Sequence, residues 1–299
     1  MGSLTINGST SGQVTIAAPA VAGTNTLTLP AATGTLITTA SSAALPISAI
    51  SATGTPSAST FLRGDSTWSA VSASGQLIRA PQVLTSGTSY TTPSNCTAIF
   101  VELWGAGGGG GNGNSGGGGG SGAYCAKYSA VTGSTAYTIA IGAAGAATSS
   151  TNTNGNSGGN TTITIGATTY TAGGGGGGTG GANGTNTTLA GGSGGTATNG
   201  DINVKGISGT PGIYLSASGV TYNGGPLGSG VYVAQICGGA GGSSIGPITG
   251  GTGGQGAGFG GLSGQAGQYY GAGGGGGTNN YGYSGAAGYQ GLIRIWEYT

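Results

Sequence analysis

Few side chains in this sequence could do acid–base chemistry. The chain has no histidine, and its acidic residues are Asp65, Glu102, Asp201 and Glu297. Glycoside hydrolysis usually needs two carboxyl groups about 5–10 Å apart. Asp65 belongs to a turn-forming motif, Glu102 and Glu297 fall within predicted strands, and Asp201 has no evident partner. We therefore expect a chain that is not an enzyme, with no catalytic residue and no cofactor. An acid pair formed between subunits remains an alternative.

The three cysteines do not form a metal-binding pattern. Cys96, Cys125 and Cys237 are odd in number and lack the paired spacing of a metal site. We interpret them as buried free thiols in a protein assembled in a reducing cytoplasm, and we expect no bound metal.

The charge balance excludes several classes of partner. Five basic and four acidic residues give a net charge of +1. Without a basic patch, binding of nucleic acid through phosphates is not expected. No apolar segment approaches the ~20 residues of a membrane span, so membrane insertion is not expected. The first residues also lack the basic start and apolar run of a signal peptide.

Glycine dominates the chain, with 76 of 299 residues. Ordering a residue costs about 1–2 kcal/mol of backbone entropy, and glycine lies at the high end. Dense backbone hydrogen bonding or burial against other chains must compensate, which favours an oligomer. Two interpretations of the glycine runs remain open, flexible linkers and packed helices of the polyglycine II type. The runs are 107–111, 116–120, 173–178 and 273–277.

Two strands bracket the glycine-rich part of the chain. Large side chains alternate in each: Phe100, Glu102 and Trp104 share one face of the first, and Leu292, Arg294 and Trp296 share one face of the last. Each face thus carries one charge between large apolar residues, and the two charges are opposite. We predict that these strands are neighbours in one sheet, with Glu102 and Arg294 in contact. The alternative is that both charges point to solvent. We call Phe100, Glu102, Trp104, Arg294 and Trp296 the clasp.

Other alternating segments also predict strands, and no helix of useful length is expected. Asn7-Gly8 and Gly166-Ala167 are typical of hairpin turns. The remaining predicted strands are 4–6, 14–16, 26–29, 123–128, 136–141, 161–165, 168–171 and 231–236.

Tyrosine is the abundant large side chain, and four tyrosines lie among glycines near the C-terminus. They are Tyr269, Tyr270, Tyr281 and Tyr283. Rings with a polar tip on rigid loops suit sugar faces and protein surfaces, so these four are candidate receptor-binding residues. The alternative is that they pack over glycine backbone and complete a core.

A motif before the glycine-rich part resembles a known family. Residues 53–68 read TGTPSASTFLRGDSTW, and residues 26–36 read TLTLPAATGTL. Both resemble segments of the tail fibres of tailed bacteriophages. In a fibre stem, Phe61 and Trp68 would be anchors, and Arg63 and Asp65 would tie neighbouring chains together. Arg-Gly-Asp is also an adhesion tripeptide, although Gly-Asp is ordinary turn chemistry.

The ends of the glycine-rich part resemble the same fibres. Residues 90–104 and 288–298 resemble the opening and close of a glycine-rich domain at the ends of phage fibres. The resemblance implies an all-β homotrimer, with a thin fibrous stem over 1–80 and a glycine-rich, β-sandwich-like distal domain over 81–299.

The function that the resemblance implies is adhesion. The chain would be a tail fibre protein of the virion, assembled in the host cytoplasm, that binds the host surface without enzymatic turnover. Its partners would be its own copies, other virion tail proteins at the N-terminal end, and a bacterial surface glycan or outer-membrane protein. The alternative is a structural surface fibre or decoration protein without receptor contact. A polysaccharide-cleaving spike is disfavoured by the small number of acids.

Overall fold

The computed structural model describes residues 3–7, 10–17, 52–70, 75–113, 115–149, 152–181, 189–215, 235–245, 263–277 and 283–299. The chain divides into two compact units, Met1–Ser72 and Ala73–Thr299. Residues 73–80, assigned to the stem in the sequence analysis, lie in the second unit.

All regular secondary structure in the described ranges is β-strand, as the sequence predicts. No helix long and apolar enough to cross a membrane is found in these ranges. The strands are β1 (Ser3–Asn7), β2 (Gln13–Ala17), β3 (Thr60–Leu62), β4 (Trp68–Ala70), β5 (Gln82–Leu84), β6 (Ser89–Thr91), β7 (Ala98–Trp104), β8 (Tyr124–Ala130), β9 (Ala136–Ala140), β10 (Thr161–Ile165), β11 (Thr168–Ala172), β12 (Ala197–Thr198), β13 (Ile202–Val204), β14 (Ile213–Leu215), β15 (Gln235–Cys237) and β16 (Leu292–Tyr298).

The first unit contains two short hairpins. Strands β1 and β2 pair antiparallel from Ser3–Ala17 to Asn7–Gln13, which confirms the two strands predicted around Asn7-Gly8. Strands β3 and β4 pair antiparallel across the Arg-Gly-Asp turn. The strand predicted over 26–29 lies outside the described residues.

The bracketing strands β7 and β16 lie side by side in the second unit. Their antiparallel register runs from Leu292 opposite Trp104 to Tyr298 opposite Ala98. They belong to a five-stranded antiparallel sheet with the order β13-β8-β7-β16-β5, which we call the clasp sheet. The strand adjacency that the sequence predicts is therefore present.

A second five-stranded antiparallel sheet has the order β12-β11-β10-β9-β6. Gly166-Ala167 forms the predicted two-residue loop between β10 and β11, where Ile165 pairs with Thr168. Gly166 has φ 61°, a value that glycine adopts without strain. The outward positions of this sheet carry hydroxyl side chains, so we call it the threonine sheet; they include Ser89, Thr138, Thr162, Thr164, Thr169, Thr171 and Thr198.

The two sheets pack face to face around one hydrophobic core. The clasp sheet contributes inward aliphatic residues, and the threonine sheet contributes inward tyrosines and isoleucines. Core residues include Ile99, Val101, Leu103, Ile293 and Ile295 from the clasp sheet and Tyr90, Tyr137, Ile139, Ile163 and Tyr170 from the threonine sheet. A smaller cluster of Trp104, Tyr124, Ala126 and Leu292 lies on the opposite, outer face of the clasp sheet.

Beyond the strands, the glycine runs form an array of extended segments that we call the glycine lattice. Two central segments, 105–113 after β7 and 115–123 before β8, are buried throughout. The other segments are 142–149, 153–160, 173–181, 189–196, 205–212, 238–245, 263–268, 271–277 and 283–291.

The backbone hydrogen bonds of each central segment have a period of three residues, so every third N–H group donates to the same neighbouring segment. In 105–112, eight consecutive N–H groups donate in turn to three neighbouring segments, at 2.8–3.1 Å. This periodicity matches an extended helix with three residues per turn. The donors are Gly105, Gly108 and Gly111 to 115–123, then Ala106, Gly109 and Asn112 to 153–160, and Gly107 and Gly110 to 283–291.

Each central segment has six hydrogen-bonded neighbours. Segment 105–113 donates to three of them and accepts from three others, which are 142–149, 173–181 and 271–277. Segment 115–123 has the same arrangement: it donates to 173–181, 205–212 and 271–277 and accepts from 105–113, 189–196 and 238–245. The buried material of the two central segments is therefore mostly backbone, whose N–H groups donate to backbone carbonyls of neighbouring segments.

Only glycine fits at many lattice positions. A Cβ added at Gly108 would overlap the carbonyl oxygen of Gly176, and one at Gly119 would overlap that of Gly108. A Cβ at Gly175 would overlap the carbonyl oxygen of Gly120. Because the obstructing atoms are backbone atoms of a neighbouring segment, rotation of a side chain cannot relieve the overlap.

Candidate functional site

The clasp contains a buried carboxylate that accepts three side-chain hydrogen bonds. Arg294 Nε donates to Glu102 Oε2 at 2.6 Å, Trp296 Nε1 donates to the same oxygen at 3.1 Å, and Tyr124 Oη donates to Oε1 at 2.8 Å. The side chains of Glu102 and Arg294 are 3% and 22% exposed. The contact that the sequence predicts is present.

Aromatic rings enclose this ion pair. The Arg294 guanidinium carbon lies 5.5 Å from the ring centroids of both Trp104 and Trp296, and Phe100 is half-buried beside them. Burial, together with the hydrogen bond to Glu102, raises the pKa of Tyr124. Three hydrogen-bond donors hold this buried carboxylate in the sheet and link β7, β8 and β16.

A second buried carboxylate was not anticipated from the sequence. Glu297 faces the core, where Arg79 binds both of its oxygens, Nε to Oε2 at 2.5 Å and Nη2 to Oε1 at 2.7 Å. The Tyr90 hydroxyl also donates to Oε1. Burial raises the pKa of Tyr90, and the hydrogen bond to Glu297 adds to the effect. The sequence does carry one signal, since Glu297 continues the buried alternation of Ile293 and Ile295.

The other two acids lie in exposed pairs. Lys127 Nζ lies 2.6 Å from Asp201 Oδ1, and Asp201 also accepts the backbone N–H of Tyr128. These bonds lower the pKa of Asp201, and the bond to Asp201 raises the pKa of Lys127. All four acids of the chain therefore have a cationic partner within it, the fourth being Asp65.

No group of three or more histidine, cysteine or acidic residues that could hold a metal occurs in the part of the chain that the structure describes. Cys96 and Cys125 are buried free thiols. Burial raises the pKa of both, that of Cys125 to about 11. The side chain of Cys237 lies outside the described residues.

The structure places the candidate tyrosines in different surroundings. Tyr269 and Tyr283 are exposed, by 49% and 38%. Tyr270 is half-buried: it packs against the small cluster on the outer face of the clasp sheet and meets the Tyr289 ring edge-on at 5.2 Å. Tyr281 lies outside the described residues. Tyr269 and Tyr283 are therefore available for contact with a partner, whereas Tyr270 has a packing role.

The stem motif forms the turn between β3 and β4. Asp65 Oδ1 accepts from the N–H and the hydroxyl of Thr67 at 3.1 and 2.6 Å. Arg63 Nε lies 3.8 Å from Asp65 Oδ2 in the same chain. Phe61 is exposed and Trp68 is half-buried. Contacts of these residues with neighbouring chains remain a prediction.

Comparison with known families identifies the second unit. Residues 83–296 match the family model described as glycine-rich domain. The match covers more than half of the chain, so the chain belongs to this glycine-rich domain family. A search of curated proteins finds no match.

Proposed function

We propose that this chain is a bacteriophage tail fibre protein that mediates adhesion to the host cell surface without enzymatic turnover. The observation that carries the proposal is the order of two features: a segment resembling phage fibres, residues 53–68, precedes a glycine-rich domain. The proposed place of action is the virion, after assembly in the host cytoplasm.

The geometry of the second unit supports binding rather than catalysis. Its two buried carboxylates are each held by an arginine and a tyrosine, so their hydrogen-bonding capacity serves the fold. The lattice is a scaffold of densely hydrogen-bonded backbone, and exposed rings such as Tyr269 and Tyr283 lie on it. Rigid presentation of aromatic side chains suits recognition, because little entropy is lost when a partner binds.

The finer architecture is part of the same proposal. We infer that the lattice segments are polyglycine II helices, because the hydrogen bonds of the two central segments have a period of three residues and each central segment has six hydrogen-bonded neighbours. We also propose a homotrimer with a thin fibrous stem, whose N-terminal end binds other tail proteins. The receptor would be a bacterial surface glycan or an outer-membrane protein.

A binding assay tests the proposed function. Labelled full-length protein is incubated with a panel of bacterial strains, and saturable binding to a subset of strains is expected by flow cytometry. The free protein should also block adsorption of a phage that carries it. Failure to bind any strain would favour a structural fibre, and shortening of a surface polysaccharide would contradict a non-enzymatic adhesin.

Two variants localise the contact. Tyr269→Ala combined with Tyr283→Ala should abolish cell binding at unchanged oligomeric mass. The control is Thr138→Ala, because Thr138 is an exposed residue on the threonine sheet, away from the lattice. Wild-type binding by the double variant would exclude these two tyrosines from the receptor surface.

A further inference from the structure

The two outer faces of the sandwich differ in chemistry. The threonine sheet presents small hydroxyl residues such as Thr138 and Thr169 to solvent. The clasp sheet presents large apolar side chains on its outer face, four of them 41–56% exposed: Val83, Tyr128, Ile202 and Val204. A contiguous exposed apolar surface is typical of an interaction site.

Register places these side chains on one surface. Val83 is paired with Arg294, and Phe100 is paired with both Trp296 and Tyr128, so all of them point away from the core. Tyr128 and Tyr298 are in ring contact at 6.2 Å. The apolar face comprises Leu77, Val83, Phe100, Tyr128, Ile202, Val204, Trp296 and Tyr298.

The charges on this face are internally neutralised. Glu102 and Arg294 lie at its centre and bind each other at 2.6 Å. A partner attracted by charge would need an unpaired charged side chain on this face. An apolar surface whose charges already pair with each other suits association with the same surface of another copy.

Residues 75–77 of the second unit border the apolar face. Gly75 donates to the carbonyl of Thr299, and Leu77 pairs with Tyr298. Leu77 is 45% exposed and, by this pairing, lies on the same side of the sheet as Tyr298. Leu77 therefore forms one edge of the apolar face.

We propose that the apolar face of the clasp sheet is the surface through which copies of this chain meet, leaving the threonine sheet in solvent. The inference rests on the proposed homotrimer. In that assembly Phe100, Trp296 and Tyr298 face the neighbouring copies, and the threonine sheet forms the outer wall.

Chemical labelling of the full-length assembly tests this inference. Val83→Cys and the matched Thr169→Cys are each exposed positions in the single chain. In the assembly, maleimide should label Val83→Cys at least tenfold more slowly than Thr169→Cys, while the buried Cys96 and Cys125 stay unlabelled and report that the chain is folded. After denaturation both should react at the same rate.

The mass of the assembly, measured by light scattering, separates the two proposals. A three-chain mass with slow labelling at Val83→Cys supports the inference. A three-chain mass with equal rates at both positions would overturn the inference alone and leave the face open for a different protein. A one-chain mass would overturn the proposed trimer itself.

Discussion

The sandwich and the glycine lattice bury their chains by opposite means. In the sandwich, alternate side chains such as Ile99, Val101 and Ile295 fill the space between two sheets. In the lattice, the interior of 105–113 and 115–123 is backbone whose N–H groups donate to neighbouring segments. The comparison teaches that close packing can require the absence of a side chain. Adding a side chain should therefore destabilise the lattice, whereas removing one should destabilise the sandwich.

The largest effect is expected where a side chain is added to the lattice. Gly108→Ala places a Cβ against the carbonyl oxygen of Gly176, and Gly119→Ala places one against that of Gly108. Overpacking costs about 1–3 kcal/mol where side chains can adjust, and we expect more here because the obstruction is backbone. Either variant should lose most folded protein, as measured by soluble yield and thermal unfolding.

Two glycines outside the lattice are graded controls. A Cβ at Gly64 meets nothing within 4 Å, so Gly64→Ala should leave the melting temperature unchanged. Gly166 is also open but has φ 61°, and Gly166→Ala should cost about 1–2 kcal/mol from backbone strain alone. Equal effects of Gly108→Ala and Gly64→Ala would show that the lattice does not depend on close approach.

The next effect concerns the clasp in the sandwich. Arg294→Leu leaves the Glu102 carboxylate buried without its cation, and breaking a buried pair costs about 3–5 kcal/mol. Because Arg294 keeps partial exposure, we expect the low end of that range in chemical denaturation. Asp201→Asn removes an exposed pair and should shift the midpoint far less.

A double variant sharpens the test of the clasp. Glu102→Leu together with Arg294→Leu removes both charges and should recover much of the loss, since the surrounding rings can cover an apolar pair. If Arg294→Leu alone is as stable as the unchanged chain, the carboxylate is sufficiently held by Tyr124 and Trp296.

The sandwich could be predicted from the sequence where large side chains alternate. The clasp strands and the Gly166-Ala167 loop carry local signals, and both are present in the structure. Strands β12 (Ala197–Thr198) and β13 (Ile202–Val204) were not predicted because they are too short to show a period. Their strand conformation comes from pairing with β11 and β8.

Long-range partners and lattice contacts could not be predicted. Arg79 lies 218 positions before Glu297, and nothing local to either residue indicates the other. A glycine run has no side-chain pattern, so its sequence does not predict which segment accepts the hydrogen bond from each N–H group. The choice between linker and packed array depends on neighbours such as 153–160 and 283–291, which are distant in sequence.

An alkaline pH should weaken the sandwich through its buried tyrosines. The pKa values of Tyr90 and Tyr124 are raised in the folded chain, so above about pH 10 the unfolded chain loses these protons while the folded chain keeps them. Stability therefore falls as pH rises, by up to about 1.4 kcal/mol per pH unit for each tyrosine. Chemical denaturation between pH 8 and 11 measures this slope.

Phenylalanine variants test the assignment of the slope. Tyr90→Phe and Tyr124→Phe should each flatten the pH dependence, and each should cost about 1.5–3 kcal/mol at neutral pH because a hydrogen bond to a charged group is lost. Tyr269→Phe, at an exposed position, should change neither quantity. An unaltered slope in both core variants would assign the alkaline loss to other groups.

The smallest effect is expected at the buried thiols, which report local opening of the sandwich without altering it. Burial raises the pKa of Cys125 to about 11, so at pH 8 few of these thiols are in the reactive thiolate form, and the side chain is inaccessible as well. Peptide mass spectrometry after treatment with a thiol reagent should show Cys125 and Cys96 unmodified in the folded chain and fully modified in denaturant.

In the Gly108→Ala chain, early modification of Cys125 with Cys96 still protected would show that damage to the lattice spreads into β8, the strand that follows segment 115–123. Simultaneous modification of both would show that sandwich and lattice unfold as one cooperative unit, and protection of both would show that the sandwich stands without the lattice.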